Sequence, residues 1–192
     1  MRSCSKRVVA FFTVACFAVA VITGCSTAPK SEEGRQNLRS DAQATLDSMA
    51  NKDATLREFI DRAHGYAVFP TVGKGGAVVG GAYGRGIVYE QGRPIGYAEL
   101  NQASAGAQLG GQTYSEVIVF ENADALGRLR GGTLDLGAGV SAVLLKSGAA
   151  REARFKDGVA VIVHPKGGAM AEASVSGQKL NFKPMAEAES EN

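Results

Sequence analysis

Glycine is the residue that most constrains the fold of this chain. Of its 25 glycines, all but Gly24 and Gly34 lie between residues 65 and 177. The segments between them are short and rich in Val, Ala, Ile, Leu and Tyr, and many short strands with close turn signals indicate antiparallel sheet. Glycine inside a strand weakens it unless another backbone comes close or the sheet bends sharply. We therefore expect a small, strongly coiled barrel or sandwich, without the strand–helix alternation of a parallel sheet.

The coarse element order follows from periodicity and turn residues. Two short helices are expected first, over residues 36–50 and from a cap at Asp53 to Gly65. A third is expected over residues 123–130, with Asn122 as its cap. The expected strands are 66–72, 76–83, 85–91, 94–101, 104–112, 114–120, 133–146, 150–157, 159–164, 168–175 and 178–182. The predicted class is α+β, dominated by β structure.

The first 24 residues are typical of a lipoprotein signal peptide. Residues 2–7 carry three cations, and residues 8–22 form an apolar run of about the length of a signal core. Residues 22–25, ITGC, resemble a bacterial lipobox, which implies cleavage before Cys25 and acylation of that cysteine. The alternative is an ordinary secretory signal with an unrelated cysteine. With Cys25 acylated, no disulfide or cysteine chemistry is expected.

This interpretation predicts four parts of the chain. Residues 1–24 are the signal peptide, 25–35 a lipid-anchored flexible tether, 36–183 a single domain, and 184–192 an acidic disordered tail. Two or more acyl chains anchor a protein stably, so the expected location is the bacterial cell envelope. Ser26 follows the cysteine, where inner-membrane lipoproteins often have Asp, and this favours the outer membrane, facing the periplasm or the surface.

The charge of the mature chain is small. The three signal-peptide cations account for its formal net charge of +2, and without them 18 cations face 19 anions. Residues 55–183 carry 14 Lys/Arg and 11 Asp/Glu, so the domain itself is mildly basic. Nucleic-acid binding usually requires a strongly basic domain, so we expect no nucleic-acid partner. A local basic patch for anionic lipid remains open.

No motif for catalysis, metal binding or cofactor binding stands out. Residues 137–142 fit G-x-G-x-x-A, but no helix-length pattern follows to hold a pyrophosphate. The two histidines, His64 and His164, are isolated, and two isolated histidines are more often structural than ligands. We therefore expect no enzyme activity, no metal and no cofactor.

Three motifs resemble the SYLF domain family. Residues 65–70, GYAVFP, are similar to its G-x-A-x-F-P opening, and the glycines with Lys74 in residues 74–86 are similar to its K-x-G and G-G-x-x-G-x-G stretch. Residues 106–112, GAQLGGQ, followed by the apolar residues 117–120, resemble its G-x-Q-x-G-G-Q motif and strand. The resemblance covers about residues 53–183 and implies a lipid-binding domain.

The resemblance also suggests where lipid would bind. The stretch 68–86 is then sheet, with a turn at residues 73–75 and strands on either side of Gly84. The expected headgroup contacts are Lys74 and Arg85, with Arg93, Arg154, Lys156 and Lys166 as weaker candidates at turns or polar strand faces. The predicted partners are anionic membrane lipids and an envelope protein. The alternative is a structural or protein-interaction module without lipid specificity.

Overall fold

The computed structural model describes residues 27–76, 79–105, 110–137, 140, 142–167 and 177–190. The helices in this part of the chain are α1 (Glu32–Lys52), α2 (Thr55–Asp61), α3 (Ala123–Arg130), α4 (Ala149–Glu152) and α5 (Met185–Ser190). The strands are β1 (Gly65–Gly76), β2 (Val79–Glu90), β3 (Arg93–Ala105), β4 (Gly110–Phe120), β5 (Thr133–Leu136), β6 (Ala142–Leu144), β7 (Val159–Gly167) and β8 (Gln178–Pro184). The predicted α+β class is confirmed.

The predicted N-terminal helices form. The side chain of Ser31 caps α1 by accepting a hydrogen bond from the backbone N–H of Gly34 at 3.1 Å. α1 therefore begins within the expected tether, residues 25–35, and extends beyond the predicted 36–50. Its buried apolar stripe is Ala42, Leu46 and Met49. This stripe packs against the sheet, so the amphipathic pattern reflects core packing.

The strands form one sheet in the order β5-β8-β3-β2-β1-β4-β7-β6. Neighbouring strands are antiparallel except β6 and β7, which are parallel. Among the four central strands, β2 lies between β1 and β3, whereas β4 pairs with the other side of β1 and not with β3, which precedes it in the chain. This pairing confirms the expectation of a glycine-rich antiparallel sheet.

Both faces of the sheet are buried. The inner face carries Val72, Leu100, Ile118 and Leu180 and packs against α3. The helix face carries Val68, Ile87, Val117 and Ile162 and packs against α1, α2, α4 and α5. Because side chains alternate between the faces of a strand, this double burial explains the nearly continuous apolar runs of β1, β4 and β7.

Glycine in the strands allows close approach, as the sequence suggests. A Cβ at Gly86 would lie 2.4 Å from the carbonyl oxygen of Val68, and one at Gly96 would lie 2.3 Å from the ring of Phe182. Real Cβ atoms do not approach other atoms so closely. At these positions the crowded interior of the sheet leaves no room for a side chain.

The predicted segmentation of the first strands was wrong. Residues 73–75, predicted as a turn, lie inside β1, and the connection to β2 falls at residues 77–78, outside the described residues. Residues 76–83 and 85–91, predicted as two strands, belong mainly to β2, because Gly84 stays in register with Val72. The predicted strand 104–112 instead spans the end of β3 and the start of β4.

Two further strand predictions were wrong. The segment 133–146 was expected to form one strand, but it contains two strands, β5 and β6, which lie at opposite edges of the sheet. The segment 150–157 was also expected as a strand, but it begins within α4. The expected strand at 168–175 lies outside the described residues.

The acidic C-terminal segment differs from the expected disordered tail, 184–192. Met185–Ser190 form α5, in which Ala188 is only 4% exposed. The guanidinium of the buried Arg35 reaches the Ala188 carbonyl at 3.5 Å. The segment is ordered because α5 packs on the helix-face core and contacts α1.

Candidate functional site

Lys74, the first predicted headgroup contact, lies inside the domain. Its residue is 8% exposed, and it shares the inner face with Val72. A β-bulge in β1 explains this placement, because the register with β4 shifts between Phe69 and Val72. Phe69 and Val72 both face inward, whereas residues three positions apart in a regular strand face opposite sides. The bulge therefore reverses which residues face inward over the rest of the strand.

Arg85, the second predicted contact, lies on the helix face with Ile87. Its guanidinium lies over the ring of Tyr83, 5.7 Å from the centroid. The sheet therefore separates the two cations. This corrects the expectation that Lys74 and Arg85 share one headgroup-binding surface.

The weaker candidates are dispersed over the domain. Arg93 is exposed at the start of β3, and Lys166 is exposed near the end of β7, where its ammonium donates to the Thr71 hydroxyl at 3.3 Å. Arg154 and Lys156 are exposed between α4 and β7. Of the predicted cations, Arg154 lines a cleft that contains further arginines.

We call this cleft the arginine cleft. It has a volume of about 400 Å³ and lies where α2, α4 and the end of β4 meet. Its lining residues are Phe59, Arg62, Glu121, Arg151, Ala153, Arg154 and Phe155. Arg62 and Arg151 were not among the predicted site residues. Arg62 precedes Arg151 by about 90 positions, and the α4 segment that carries Arg151 was expected to be a strand.

Two stacked aromatic rings form the apolar part of the arginine cleft. The rings of Phe59 and Phe155 lie 5.0 Å apart between centroids and 12° from parallel. Phe59 is 8% exposed and belongs to the helix-face core, while Phe155 is partly buried against that core. The cleft thus combines an apolar wall with a cationic rim.

Asp53 holds the two helices of the arginine cleft together. Its carboxylate accepts hydrogen bonds from the backbone N–H of Thr55 at 3.0 Å, of Gly148 at 3.1 Å and of Ala150 at 2.8 Å. Burial acts to raise the pKa of Asp53, but these bonds and one from the Thr55 hydroxyl outweigh it and hold the pKa below its ordinary value. Asp53 therefore accepts from the first N–H of α2 as predicted, but from one position before the N-cap, which is Ala54, and it also fixes the start of α4 against α2.

The charge of the arginine cleft is not neutralised within the described part of the chain. Arg62, Arg151 and Arg154 make no ion pair there, and Glu121 is the single carboxylate among the lining residues. The neighbouring Arg57, by contrast, is paired with Asp47. Three arginines against one glutamate leave a local positive potential, which attracts anions.

Comparison with protein families matches the second half of the chain. Residues 101–189 match the family described as Ysc84, a Las17-binding protein and actin regulator. This is the SYLF family, so the expected resemblance is confirmed over residues 101–189. A comparison with curated proteins gave no match. The SYLF match includes the predicted motif at 106–112 and begins after the motifs at 65–86.

The SYLF segment supplies most of the arginine cleft. Arg151, Arg154, Phe155 and Glu121 lie inside the matched residues, whereas Phe59 and Arg62 come from α2, before the match begins. The cleft is therefore completed by a helix outside the matched segment.

A second polar group lies inside the domain, on the inner face of the sheet. Glu116 is fully buried on the inner face, and its Oε2 accepts a hydrogen bond from the Gln178 amide at 3.2 Å. Burial raises the pKa of Glu116 to about 8, although Gln178 and the nearby Lys74 act in the opposite direction. Lys74 thus has an electrostatic partner inside the domain.

The two histidines lie in different environments. His64 contacts Glu90 through Nε2 at 3.0 Å, and His164 contacts Lys52 at 2.5 Å. Within the described ranges, no three His, Cys, Asp or Glu side chains are grouped so that they could hold a metal ion. None of the helices in that part of the chain is long and apolar enough to cross a membrane.

Proposed function

We propose that this chain is a lipid-anchored envelope protein whose SYLF domain binds anionic phospholipid at the arginine cleft and catalyses no reaction. The observation that carries the proposal is the group of three arginines around the Phe59–Phe155 stack, which make no ion pair with any residue that the structure describes. Arginine binds phosphate through two parallel hydrogen bonds, which suits a phospholipid headgroup. The adjoining rings offer apolar surface to the glycerol and the first acyl carbons.

The proposed anchor is Cys25, and the proposed location is the outer membrane. The supporting observation is the sequence of residues 1–25, which lie outside the described residues. Replacing Cys25 with Ser should abolish labelling by a radioactive fatty acid and release the protein from the membrane fraction. Labelling that persists in the Cys25→Ser variant would remove the anchor from the proposal.

The lipid site is tested by vesicle flotation of residues 26–192, which contain every described residue but no acylated cysteine. Phosphatidylcholine vesicles are compared with phosphatidylglycerol–cardiolipin vesicles. We expect the protein to float with the anionic vesicles only. Added salt should weaken this binding, since exposed charges are screened over about 10 Å at 0.1 M ionic strength.

A matched pair of double variants locates the site. Arg151→Glu plus Arg154→Glu reverses two charges in the arginine cleft and should abolish flotation. Arg93→Glu plus Lys166→Glu changes the net charge by the same amount elsewhere and should leave most binding intact. Equal losses in both variants would mean that binding follows net charge and not the cleft.

The second candidate function is a protein-interaction module. The description of the SYLF family names a Las17-binding protein, so protein binding is a property stated for that family. If the protein floats with none of the vesicles, membrane attachment rests on Cys25 alone. The arginine cleft would then be tested for binding of an acidic peptide.

A further inference from the structure

A second concave site lies between α1 and the helix face of the sheet, and we call it the α1 cleft. Its volume is about 480 Å³, which is within the range of small-molecule sites. Its lining residues are Asp41, Ala44, Thr45, Ser48, Met49, Pro70, Thr71, Ser115, His164 and Lys166. It shares no lining residue with the arginine cleft.

Two irregularities of the sheet form the floor of the α1 cleft. The register of β1 with β4 shifts between Phe69 and Val72, and that of β4 with β7 shifts between Thr113 and Tyr114. Pro70 and Pro165 lie at these positions, and proline inside a sheet is confined to edges and bulges because it lacks an N–H. Bulges are enriched beside binding sites, where they re-aim side chains.

Ser115 stabilises this irregular floor. Its residue is 1% exposed, and its hydroxyl donates to the Pro70 carbonyl at 2.7 Å. That bond satisfies a backbone acceptor next to the bulge, where the regular register with β4 is interrupted. The floor of the α1 cleft is therefore fixed by a specific contact.

The two charged lining residues of the α1 cleft are of opposite sign, Asp41 and Lys166. Lys52, which is not a lining residue, adds a positive charge beside His164. Burial, together with Lys52 and Lys166, lowers the pKa of His164, which favours a neutral imidazole. Because the Lys52 ammonium can only donate to Nε2, the ring proton lies on Nδ1. This buried nitrogen has no hydrogen-bond partner among the described residues.

Hydroxyl groups and apolar surface complete the lining. Thr45 and Ser48 on α1 line the cleft together with Thr71 on β1, and a hydroxyl group can both donate and accept hydrogen bonds. Ala44, Met49 and Pro70 add apolar contacts. A ligand that complements this surface carries several hydroxyl groups and no net charge, since the carboxylate of Asp41 disfavours an anion and Lys166 disfavours a cation.

We propose that the α1 cleft binds a small neutral polyhydroxyl molecule of the saccharide class, of one or two rings. Asp41 accepts hydrogen bonds from ligand hydroxyls, while Lys166 donates to ligand oxygens. The apolar residues contact the C–H face of the ring. This ligand differs in charge from the phospholipid proposed for the arginine cleft, so the two sites can be tested separately.

The experiment is a titration of isotope-labelled residues 26–192, followed by amide NMR. The probes are glucose, N-acetylglucosamine and maltose, each up to about 100 mM, because weak sites have millimolar dissociation constants. Inorganic phosphate is the charged comparison. We expect saturable shifts at Thr45, Ser48, Thr71 and His164 with at least one saccharide, and no saturable shift there with phosphate.

Matched variants test whether the shifts report the α1 cleft. Asp41→Asn and Ser48→Ala should each weaken saccharide binding at least about threefold, corresponding to roughly 0.7 kcal/mol. Ser40→Ala, an exposed change on the same helix outside the cleft, should not. The double charge reversal at Arg151 and Arg154 should also leave these shifts unchanged, whether or not the lipid proposal holds.

Three results would overturn the proposal. One is the absence of saturable shifts with every saccharide, and another is saturation by phosphate alone. The third is equal binding by wild type, Asp41→Asn and Ser48→Ala when the spectra show that all three are folded.

Discussion

Lys74 on β1 and Arg85 on β2 point to opposite faces of the same pair of strands. Lys74 lies opposite Ala82 on the inner face, and Arg85 lies opposite Thr71 on the helix face. The bulge before Val72 causes this, because an unbroken alternation from the inward-facing Phe69 would turn Lys74 outward. The two cations therefore have separate roles, although they belong to one glycine-rich stretch.

Replacing Glu116 with Gln should change how stability depends on pH. The folded-state pKa of about 8 lies above the ordinary value of 4.5, so the folded state holds this proton more tightly than the unfolded state. The stabilisation that the proton on Glu116 gives to the folded state is complete below about pH 4.5 and is lost as the pH rises to about 8. Relative to wild type, Glu116→Gln should gain stability over this range in urea unfolding. The exposed Glu121→Gln serves as the control, and parallel curves for wild type and Glu116→Gln would refute the assignment.

Replacing Lys74 with Met should alter the interior of the domain and leave lipid binding unchanged. Lys74 lowers the pKa of Glu116 electrostatically, so its loss should raise that pKa further and destabilise the protein above neutral pH. Carbon-13 NMR of the Glu116 carboxyl group measures its pKa. Vesicle flotation tests whether lipid binding is unchanged, and reduced flotation of folded Lys74→Met would restore Lys74 as a headgroup contact.

Replacing Gly86 with Ala should destabilise the sheet by about 1–3 kcal/mol, the usual range for overpacking. The new Cβ would lie 2.4 Å from the Val68 carbonyl oxygen and 2.9 Å from the ring of Phe69. Gly73→Ala is the matched control in β1, because its Cβ would meet no atom within 4 Å. We expect that variant to stay within about 0.5 kcal/mol of wild type. Urea unfolding of both variants tests the difference, which equal stabilities would contradict.

Replacing Asp53 with Asn should destabilise the junction of α2 and α4 by about 1–3 kcal/mol, because buried N–H groups lose a charged acceptor. The hydrogen bonds hold the pKa of Asp53 below 3.8, so its contribution is present above about pH 4 and is lost as the pH falls. The difference in melting temperature between wild type and Asp53→Asn should therefore disappear at acidic pH. Asp61→Asn, an exposed change on α2, is the control. A difference that stays constant down to pH 2 would contradict the assignment.

Much of the fold could be predicted because its signals are local. Asn122 caps α3, and its side chain accepts from the Ala125 N–H at 2.9 Å, so the helix spans the predicted residues 123–130. Interior glycines indicated crowding, which the structure confirms at Gly86 and Gly96. The α4 segment was mistaken for a strand, although Gly148, with a φ of 80°, precedes four residues of helix-favouring composition.

The sequence by itself determined the positions of α1, α2 and α3, the glycine-rich antiparallel character of the sheet, the class of the domain and its relation to the SYLF family. Only the tertiary structure decided which cations can act together. The bulge at Pro70 turns Lys74 into the core, and Asp53 fixes α4 against α2, which brings Arg62 beside Arg151. Periodicity reports burial along one segment, but the direction of a side chain after a bulge and the meeting of distant segments depend on packing between elements.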